Sequence, residues 1–192
     1  TPRLANTVLS NLRNEMAQRL ELIDNNDFAF AWVYDYPLFD WDDDLKKWEP
    51  AHHVFSSPKQ QDIQYLETDP GRVLADLFDL VCNGIEMGSG SIRIHDRDLQ
   101  TRVFGVIGYT EAEIGERFGH LLTAFTYGAP PHGGMGLGLD RLITVLAGEQ
   151  AIREVIAFPK TQSAVDPLFD APSPITDEQL KELHMRIVMP KS

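Results

Sequence analysis

Apolar residues recur at helical spacing in several parts of the chain. Residues 3 to 23 carry an apolar residue at every fourth position, which predicts an amphipathic helix: Leu4, Val8, Leu12, Met16 and Leu20. Similar spacing predicts helices over Pro70–Cys82, Leu99–Phe104 and Glu111–Thr126. Near the C-terminus, the spacing from Thr176 to Gln179 is that of a capping box and predicts the start of a short helix.

Aromatic and β-branched residues predominate in other segments and predict strands. Phe28–Tyr34 and Trp48–Phe55 flank an acidic stretch, Asp40–Asp44, so we expect them to pair as a hairpin around that turn. Ile85–Asp96 and Ile152–Phe158 are predicted as further strands. Helices that alternate irregularly with hairpin-like strands favour an α+β fold around an antiparallel sheet.

Composition narrows the classes of protein to which the chain can belong. Its 192 residues, 43% hydrophobic and 24% charged, fit one globular domain. A net charge of −12 argues against binding nucleic acid through bulk electrostatics, so any such contact must be local or lie elsewhere. A single cysteine, Cys82, excludes an internal disulfide, and no apolar run is long enough to cross a bilayer. We expect a cytoplasmic protein.

Four glycines and an arginine precede an apolar helical stretch near the end of the chain, at Gly133–Arg141. Glycines let a ligand approach bare backbone, and a helix start offers unpaired N–H groups to an anion. Arg141 in the first helical turn opposes the helix dipole, so it is more easily explained with a bound anion than without one. The segment predicts a nucleotide-phosphate loop; a glycine-rich turn into a core helix is the alternative.

A second glycine-rich segment lies within the predicted strand 85–96. In a regular strand Ser89 and Arg93 share one face, whereas Glu86 points to the other. A bulge at one of the two glycines, Gly88 or Gly90, would bring Glu86 onto the face of Arg93. The alternative is an exposed strand with ordinary polar alternation.

The acidic residues suggest a divalent cation. An acid beside a triphosphate site needs a cation between the two anions, because they otherwise repel each other. Glu86 therefore suggests Mg²⁺, with Asp79 and Ser89 as further oxygen ligands. For Asp79 an ordinary exposed carboxylate on a helix is the alternative.

Arg93 suits a small carboxylate ligand, because a planar guanidinium can bind two oxygens at once. His52 and His53 are neighbours and must point in opposite directions in a strand. They cannot chelate one metal as a pair, and we expect one of them to face the pocket.

Five motifs together resemble one family of enzymes. They are His52–Phe55, Glu86–His95, Tyr127–Gly134, Gly136–Arg141 and Ile152–Lys160. From about residue 28 to 188 the chain is similar, in unbroken order, to the C-terminal half of bacterial aspartyl-tRNA synthetases, which are class II synthetases. The resemblance implies that residues 28–192 form the C-terminal half of the catalytic domain. Residues 1–27 resemble the tail of the domain that bacterial members insert into this core.

The resemblance implies part of a class II antiparallel sheet flanked by helices. It implies that Arg141 and Glu86 are catalytic and that ATP is bound by Glu86, Gly138, Leu139, Asp140 and Arg141. It implies Mg²⁺ ligands at Asp79, Glu86 and Ser89, and contacts to L-aspartate from His52 and Arg93. The implied reaction forms aspartyl-adenylate from aspartate and ATP and transfers it to tRNA(Asp), with tRNA(Asn) as an open second acceptor. The parent would be a homodimer that does not associate with membranes.

The sequence also departs from that family. It contains no anticodon-binding barrel, no first class II motif, which serves dimerisation, and no second motif, whose arginine holds the α-phosphate. We therefore expect a fragment of the parent enzyme that does not aminoacylate tRNA by itself. The alternatives are a truncated paralogue that acts on free aspartate, like ammonia-dependent asparagine synthetase, and a non-catalytic binding module.

Overall fold

The computed structural model describes residues 2–24 and 27–189. Within them the helices are α1 (Pro2–Arg19), α2 (Arg97–Val106), α3 (Glu111–Phe125), α4 (Leu139–Leu146) and α5 (Asp177–Glu182). The strands are β1 (Phe30–Tyr34), β2 (Phe39–Asp42), β3 (Lys47–Pro50), β4 (Leu77–Cys82), β5 (Ile85–Ile92) and β6 (Gly133–Leu137). Short 3₁₀ turns cover Gln60–Tyr65, Pro70–Arg72 and Ile152–Glu154.

A four-stranded antiparallel sheet in the order β1-β4-β5-β6 organises the fold. Trp32 of β1 lies opposite Leu80 of β4, and Asp79 of β4 lies opposite Ser89 of β5. Ser89 in turn lies opposite Gly136 of β6. Strands β2 and β3 form a separate hairpin. The antiparallel sheet with flanking helices confirms the predicted α+β class.

The predicted hairpin between Phe28–Tyr34 and Trp48–Phe55 is wrong. The first segment does form β1, but β1 pairs with β4. The acidic turn connects β2 to β3 instead, with Trp41 directly opposite Trp48 and their rings 5.2 Å apart. A turn signal identifies a hairpin, but the strands that flank it most closely are the ones that pair.

Two further element predictions are wrong. Pro70–Cys82 is not a helix: it begins with a 3₁₀ turn and ends as the inner strand β4. A short apolar run is compatible with both the 3.6-residue period of a helix and the two-residue period of a strand. The segment forms a strand because it pairs with β1 on one edge and β5 on the other. Ile152–Phe158 contains a 3₁₀ turn rather than a strand, because its backbone bonds are local, from Val155 N to Ile152 O, for example.

The remaining helices are confirmed, and their caps explain where they begin. The Asp96 carboxylate accepts a hydrogen bond from Leu99 N at 2.7 Å at the start of α2. Reciprocal capping boxes start α3, at Thr110 and Glu113, and α5, at the predicted Thr176–Gln179 pair. Each box satisfies backbone N–H groups that have no partner within the helix.

Helix α1 confirms the predicted N-terminal helix, but its apolar side chains are exposed. Leu4, Leu9 and Leu12 each keep more than half of their surface accessible. The sequence continues with a polar stretch, Asp24–Asp27, in which Asn25 and Asn26 lie outside the described residues. Among the described residues, no helix has both the length and the apolar character that crossing a membrane requires.

The main core forms where α2 and α3 pack against the chain between residues 36 and 75. Phe104 is fully buried at its centre and stacks on Phe118 with ring centres 4.3 Å apart. Phe55 meets both rings edge-on. This packing holds the loop that contains His52 and His53 against the sheet.

Strand β5 contains the irregularity that the sequence suggested, although not at a glycine. Leu80 pairs with Gly88, whereas Val81 pairs with Glu86, so Met87 is the extra residue. The bulge therefore lies one residue before Gly88. It reverses the face to which Glu86 projects, as the prediction required.

Glycines allow β5 and β6 to approach each other closely. A Cβ built on Gly88 would lie 2.6 Å from Gly136 O, and one on Gly90 would lie 2.5 Å from Gly134 O and 2.6 Å from the Phe78 ring. Neither position has room for a methyl group. The two glycines are required by packing at this pair of strands.

We expect Gly90→Ala to lower the free energy of unfolding by about 1–3 kcal/mol, because the added methyl group must displace backbone or ring atoms. Gly119→Ala in α3 is the matched control: its Cβ meets no atom within 4 Å, and alanine favours the helix by about 0.5–1 kcal/mol. Urea unfolding measures both. Similar shifts in the two variants would contradict the packing argument.

Candidate active site

One face of the β4-β5-β6 sheet carries the polar residues that the sequence singled out. Opposed residues of antiparallel strands project to the same face, so Asp79, Ser89 and Gly136 share it. The bulge adds Glu86 and alternation along the chain adds Arg93. Acidic groups at one end and a guanidinium at the other therefore border a common surface.

A cavity of about 510 Å³ lies over the Arg93 end of this face. Its lining residues are His53, Ser89, Gly90, Ser91, Arg93, His132, Gly133 and Gly134. A Cβ built on Gly134 meets no atom within 4 Å, so the β6 part of the floor consists of backbone facing open space. The volume lies in the range of sites that bind small molecules.

Arg93 is a partly buried cation without a counter-ion. Its guanidinium lies 5.1 Å from the centre of the Phe55 ring, and Nη1 lies 3.4 Å from His53 Nε2. Burial lowers the pKa of Arg93. In the described part of the chain, no acidic side chain forms an ion pair with it. A cation in this state favours an anionic ligand.

His53 is held beside Arg93 as a neutral imidazole. Phe55 N donates to Nδ1 at 3.3 Å, and Nε2 lies 3.3 Å from the hydroxyl of the buried Ser56. Burial, the charge of Arg93 and the neighbouring His52 lower the pKa of His53, in that order. A neutral imidazole at this position adds no second positive charge beside Arg93.

His52 points elsewhere, so the structure brings His53 rather than His52 to Arg93. The His52 ring packs edge-on against Tyr36, with ring centres 5.0 Å apart. His52 is not among the residues that line the cavity. Its contact with aspartate stays a prediction.

Asp79 is a buried carboxylate with one free oxygen. Only 9% of its surface is exposed, and Tyr36 Oη donates to Oδ2 at 2.6 Å. Oδ1 is buried and has no hydrogen-bond partner among the residues that the structure describes. Burial, followed by the hydrogen bond to Asp79, raises the pKa of Tyr36 to about 12, so the phenol remains a donor. Asp79 lies on a strand, and the alternative of an exposed helical carboxylate is wrong.

Glu86 and Arg141 form an ion pair at the other end of the face. Arg141 Nη1 donates to Glu86 Oε1 at 2.9 Å and to the Glu86 carbonyl at 3.1 Å. Both side chains are almost half exposed. Exposed pairs contribute little to stability, so this pair can separate when another anion or cation competes for either partner.

The glycine run before Arg141 is a strand rather than the predicted loop. Gly133–Leu137 is β6, and α4 begins immediately after Gly138. Gly138 N donates to Met87 O at 2.8 Å, which joins the start of α4 to the β5 bulge. A Cβ on Gly138 would lie 3.3 Å from Arg141 Cδ, so this glycine gives the arginine side chain space. Leu139 and Asp140 follow in the exposed first turn.

The acidic end of the face does not form a complete protein cage for a cation. Among residues 2–24 and 27–189, no three His, Cys, Asp or Glu side chains are grouped to hold a metal. Mg²⁺ commonly takes one or two carboxylates and completes its shell with water and substrate phosphates. The unpaired, buried oxygen of Asp79 and the exposed Glu86 and Ser89 are the oxygen donors of such a partial ligand set.

Sequence reasoning assigned no role to three residues that the structure brings to the site. Tyr36 binds Asp79, Ser56 orients His53, and the His132 carbonyl accepts a hydrogen bond from Arg93 N at 2.9 Å. His132 adjoins the glycine run and could have been found there. Tyr36 and Ser56 carry no local signal, because their partners are set by strand pairing and loop packing.

Comparisons with known proteins agree on one family. Residues 6–162 match the family described as "tRNA synthetases class II (D, K and N)". Curated relatives include the aspartate–tRNA(Asp/Asn) ligases of Dehalococcoides mccartyi strain CBDB1, 54% identical over 185 residues, and of Heliobacterium modesticaldum, 49% identical over 189 residues. They match 96% and 98% of this chain, which spans 31% of their length.

Solved structures support the fold. An aspartyl-tRNA synthetase from Entamoeba histolytica aligns with a TM-score of 0.53 at 22% identity, over 80% of this chain and 26% of that one. The asparaginyl-tRNA synthetase of the same organism aligns with a TM-score of 0.51 at 24% identity, over 72% of this chain and 26% of that one. With its antiparallel sheet and the match over residues 6–162, the chain belongs to the class II tRNA synthetases of the D, K and N group.

Proposed function

We propose that residues 28–192 form the C-terminal half of the catalytic domain of an aspartate–tRNA ligase, with residues 1–27 as the tail of an inserted domain. The observation that carries this is Arg93, a partly buried cation that forms no ion pair with any acidic side chain of residues 2–24 and 27–189, beside a glycine-floored cavity. The names of the relatives support aspartate as the amino acid and both tRNA(Asp) and tRNA(Asn) as acceptors. The parent acts in the cytoplasm as a homodimer.

The amino acid occupies the cavity at Arg93. The guanidinium binds the side-chain carboxylate of L-aspartate through two oxygens, whereas the neutral amide of asparagine offers only one. His53 borders the bound amino acid beside Arg93, and a contact of His52 with aspartate is part of the proposal. Selectivity for aspartate follows because one partly buried cation is matched by one carboxylate.

ATP occupies the end of the face near α4. The ion pair between Arg141 and Glu86 breaks, and Arg141 binds the triphosphate. Gly138, Leu139 and Asp140 line the same ATP-binding site. The exposure of the Glu86–Arg141 pair supports this exchange, since the pair separates without uncovering buried charge.

The reaction is adenylate formation followed by transfer. An α-carboxylate oxygen of aspartate attacks the α-phosphorus of ATP, the bond to the bridging oxygen breaks, and pyrophosphate leaves. Asp79, Glu86 and Ser89 would hold Mg²⁺, which neutralises phosphate charge when bound. A ribose hydroxyl of the tRNA then takes the aspartyl group from AMP. The residues accelerate this chemistry by positioning and charge neutralisation.

A chimera tests the proposed function, because this chain spans about a third of its relatives. The chain replaces the matched segment of the Dehalococcoides mccartyi relative, and aspartate-dependent exchange of pyrophosphate into ATP and charging of tRNA are measured. We expect both activities. The isolated 192 residues, assayed in parallel, should show neither.

The other outcomes identify the alternatives. Amide formation from free aspartate and ammonia would support the paralogue, and a folded chimera without adenylate formation would support a binding module. The unmodified relative serves as the positive control. Adenylate formation by the isolated chain would contradict the fragment interpretation.

We expect Arg93→Gln in the chimera to raise the KM for aspartate about 10- to 150-fold, which corresponds to losing about 1.5–3 kcal/mol from a charged hydrogen bond. The KM for ATP should change far less, because the nucleotide binds at the other end of the face. Arg97→Gln, at an exposed arginine of α2, is the matched control. Equal changes in the two KM values would contradict the assignment of Arg93.

We expect His53 to titrate below pH 6.5, because burial, Arg93 and His52 all lower its pKa. The unfolded chain then takes up this proton at a higher pH than the folded chain, so stability falls as the pH drops from 6.5 through the folded pKa. Arg93→Gln removes one cause and should raise the pKa of His53. NMR titration, assigned with His53→Gln, measures this; a pKa unchanged by Arg93→Gln would contradict the contact.

A further inference from the structure

Tyr36 lies where it can control the direction of the Asp79 carboxylate. The two residues are 43 positions apart in sequence, and the phenol donates to Oδ2 at 2.6 Å. Asp79 is held on its backbone by β4, between β1 and β5. The strand fixes the Cα, and the hydrogen bond fixes the rotation of the carboxylate about its own axis.

The second oxygen of Asp79 has no partner within the described protein. Oδ1 is buried and makes no hydrogen bond, although the residue is more than nine-tenths buried. Buried polar atoms are nearly always paired in native structures, so an unpaired one calls for an external partner. Tyr36 thus occupies one oxygen, and the other is left unpaired, although buried, in a side chain that projects to the face of Glu86 and Ser89.

The chemistry of the donor suits a ligand for a cation. A phenol is neutral, so it orients the carboxylate without cancelling its negative charge, as an arginine or lysine partner would. Donors of this kind, which hold the groups that bind a metal, commonly change metal affinity 10- to 100-fold when removed. The hydroxyl of Tyr36 is a neutral donor of this kind, because it donates to Asp79 Oδ2.

We propose that Tyr36 is a positioning residue for the cation that accompanies ATP, and that it acts through Asp79. This inference rests on the proposed function. The Tyr36 ring has a separate task, since it supports His52 edge-on at 5.0 Å. Removing only the hydroxyl should therefore affect the metal and leave the amino-acid end unchanged.

Tyr36→Phe in the chimera tests the proposal, because it removes the hydroxyl and keeps the ring. With Mn²⁺ as the probe, electron paramagnetic resonance measures its binding in the presence of ATP. We expect Tyr36→Phe to weaken this binding about 10- to 100-fold. The KM for aspartate should stay within about twofold of the unmodified chimera, because the ring contact to His52 remains.

Tyr34→Phe is the matched control. It removes an exposed hydroxyl from the same part of the chain and keeps the ring beneath Lys59. We expect no change in Mn²⁺ binding. A loss as large as that of Tyr36→Phe would overturn the proposal.

A double-mutant comparison shows whether Tyr36 acts through Asp79. Asp79→Asn keeps the size of the side chain and removes its charge. In that background Tyr36→Phe should have no further effect on Mn²⁺ binding. Independent effects of the two substitutions would overturn the proposal, as would a Tyr36→Phe variant that melts earlier but binds Mn²⁺ with unchanged affinity.

Failure of the proposed function gives a different result. If the unmodified chimera binds no Mn²⁺ with ATP and makes no adenylate, the proposed function is wrong and the role of Tyr36 is overturned with it. If the unmodified chimera binds Mn²⁺ and Tyr36→Phe binds it equally well, only the role of Tyr36 is overturned.

Discussion

The close approach of β5 and β6 is the constraint on which the candidate site depends. Side chains at Gly88 and Gly90 would collide with the carbonyl oxygens of β6. On the other face, Gly134 and Gly136 leave the floor bare, so Ser89 and its neighbours face open space. The same absence of side chains that lets the strands pair also makes room for a ligand above them.

The charged groups of this face differ in how the protein satisfies them. Arg93 is partly buried with a neutral histidine beside it, and Asp79 is buried with a neutral phenol beside it. Glu86 and Arg141 satisfy each other near the surface. Under the proposed function, the charge of Arg93 binds an anionic ligand and the charge of Asp79 binds a cationic one. The Glu86–Arg141 ion pair separates when the nucleotide binds.

Local signals explain which elements the sequence predicts correctly. Helices α2, α3 and α5 combine apolar periodicity with N-terminal caps. The residues that specify each of these helices therefore lie within the helix or next to it in sequence. Strand β4 lacks such signals: its apolar run fits a helix equally well, and only its two neighbouring strands distinguish the two states. The glycine run of β6 has the composition of a loop and becomes a strand because β5 supplies its hydrogen bonds.

The sequence alone determined the family and the common face of Ser89 and Arg93, because order of motifs and strand alternation are properties of neighbouring residues. It also indicated that a bulge would turn Glu86 to that face. Only the tertiary structure decided that His53 rather than His52 meets Arg93, and that Tyr36 binds Asp79. Those contacts join residues 40 and 43 positions apart, and they depend on strand register and loop packing, which no local pattern encodes.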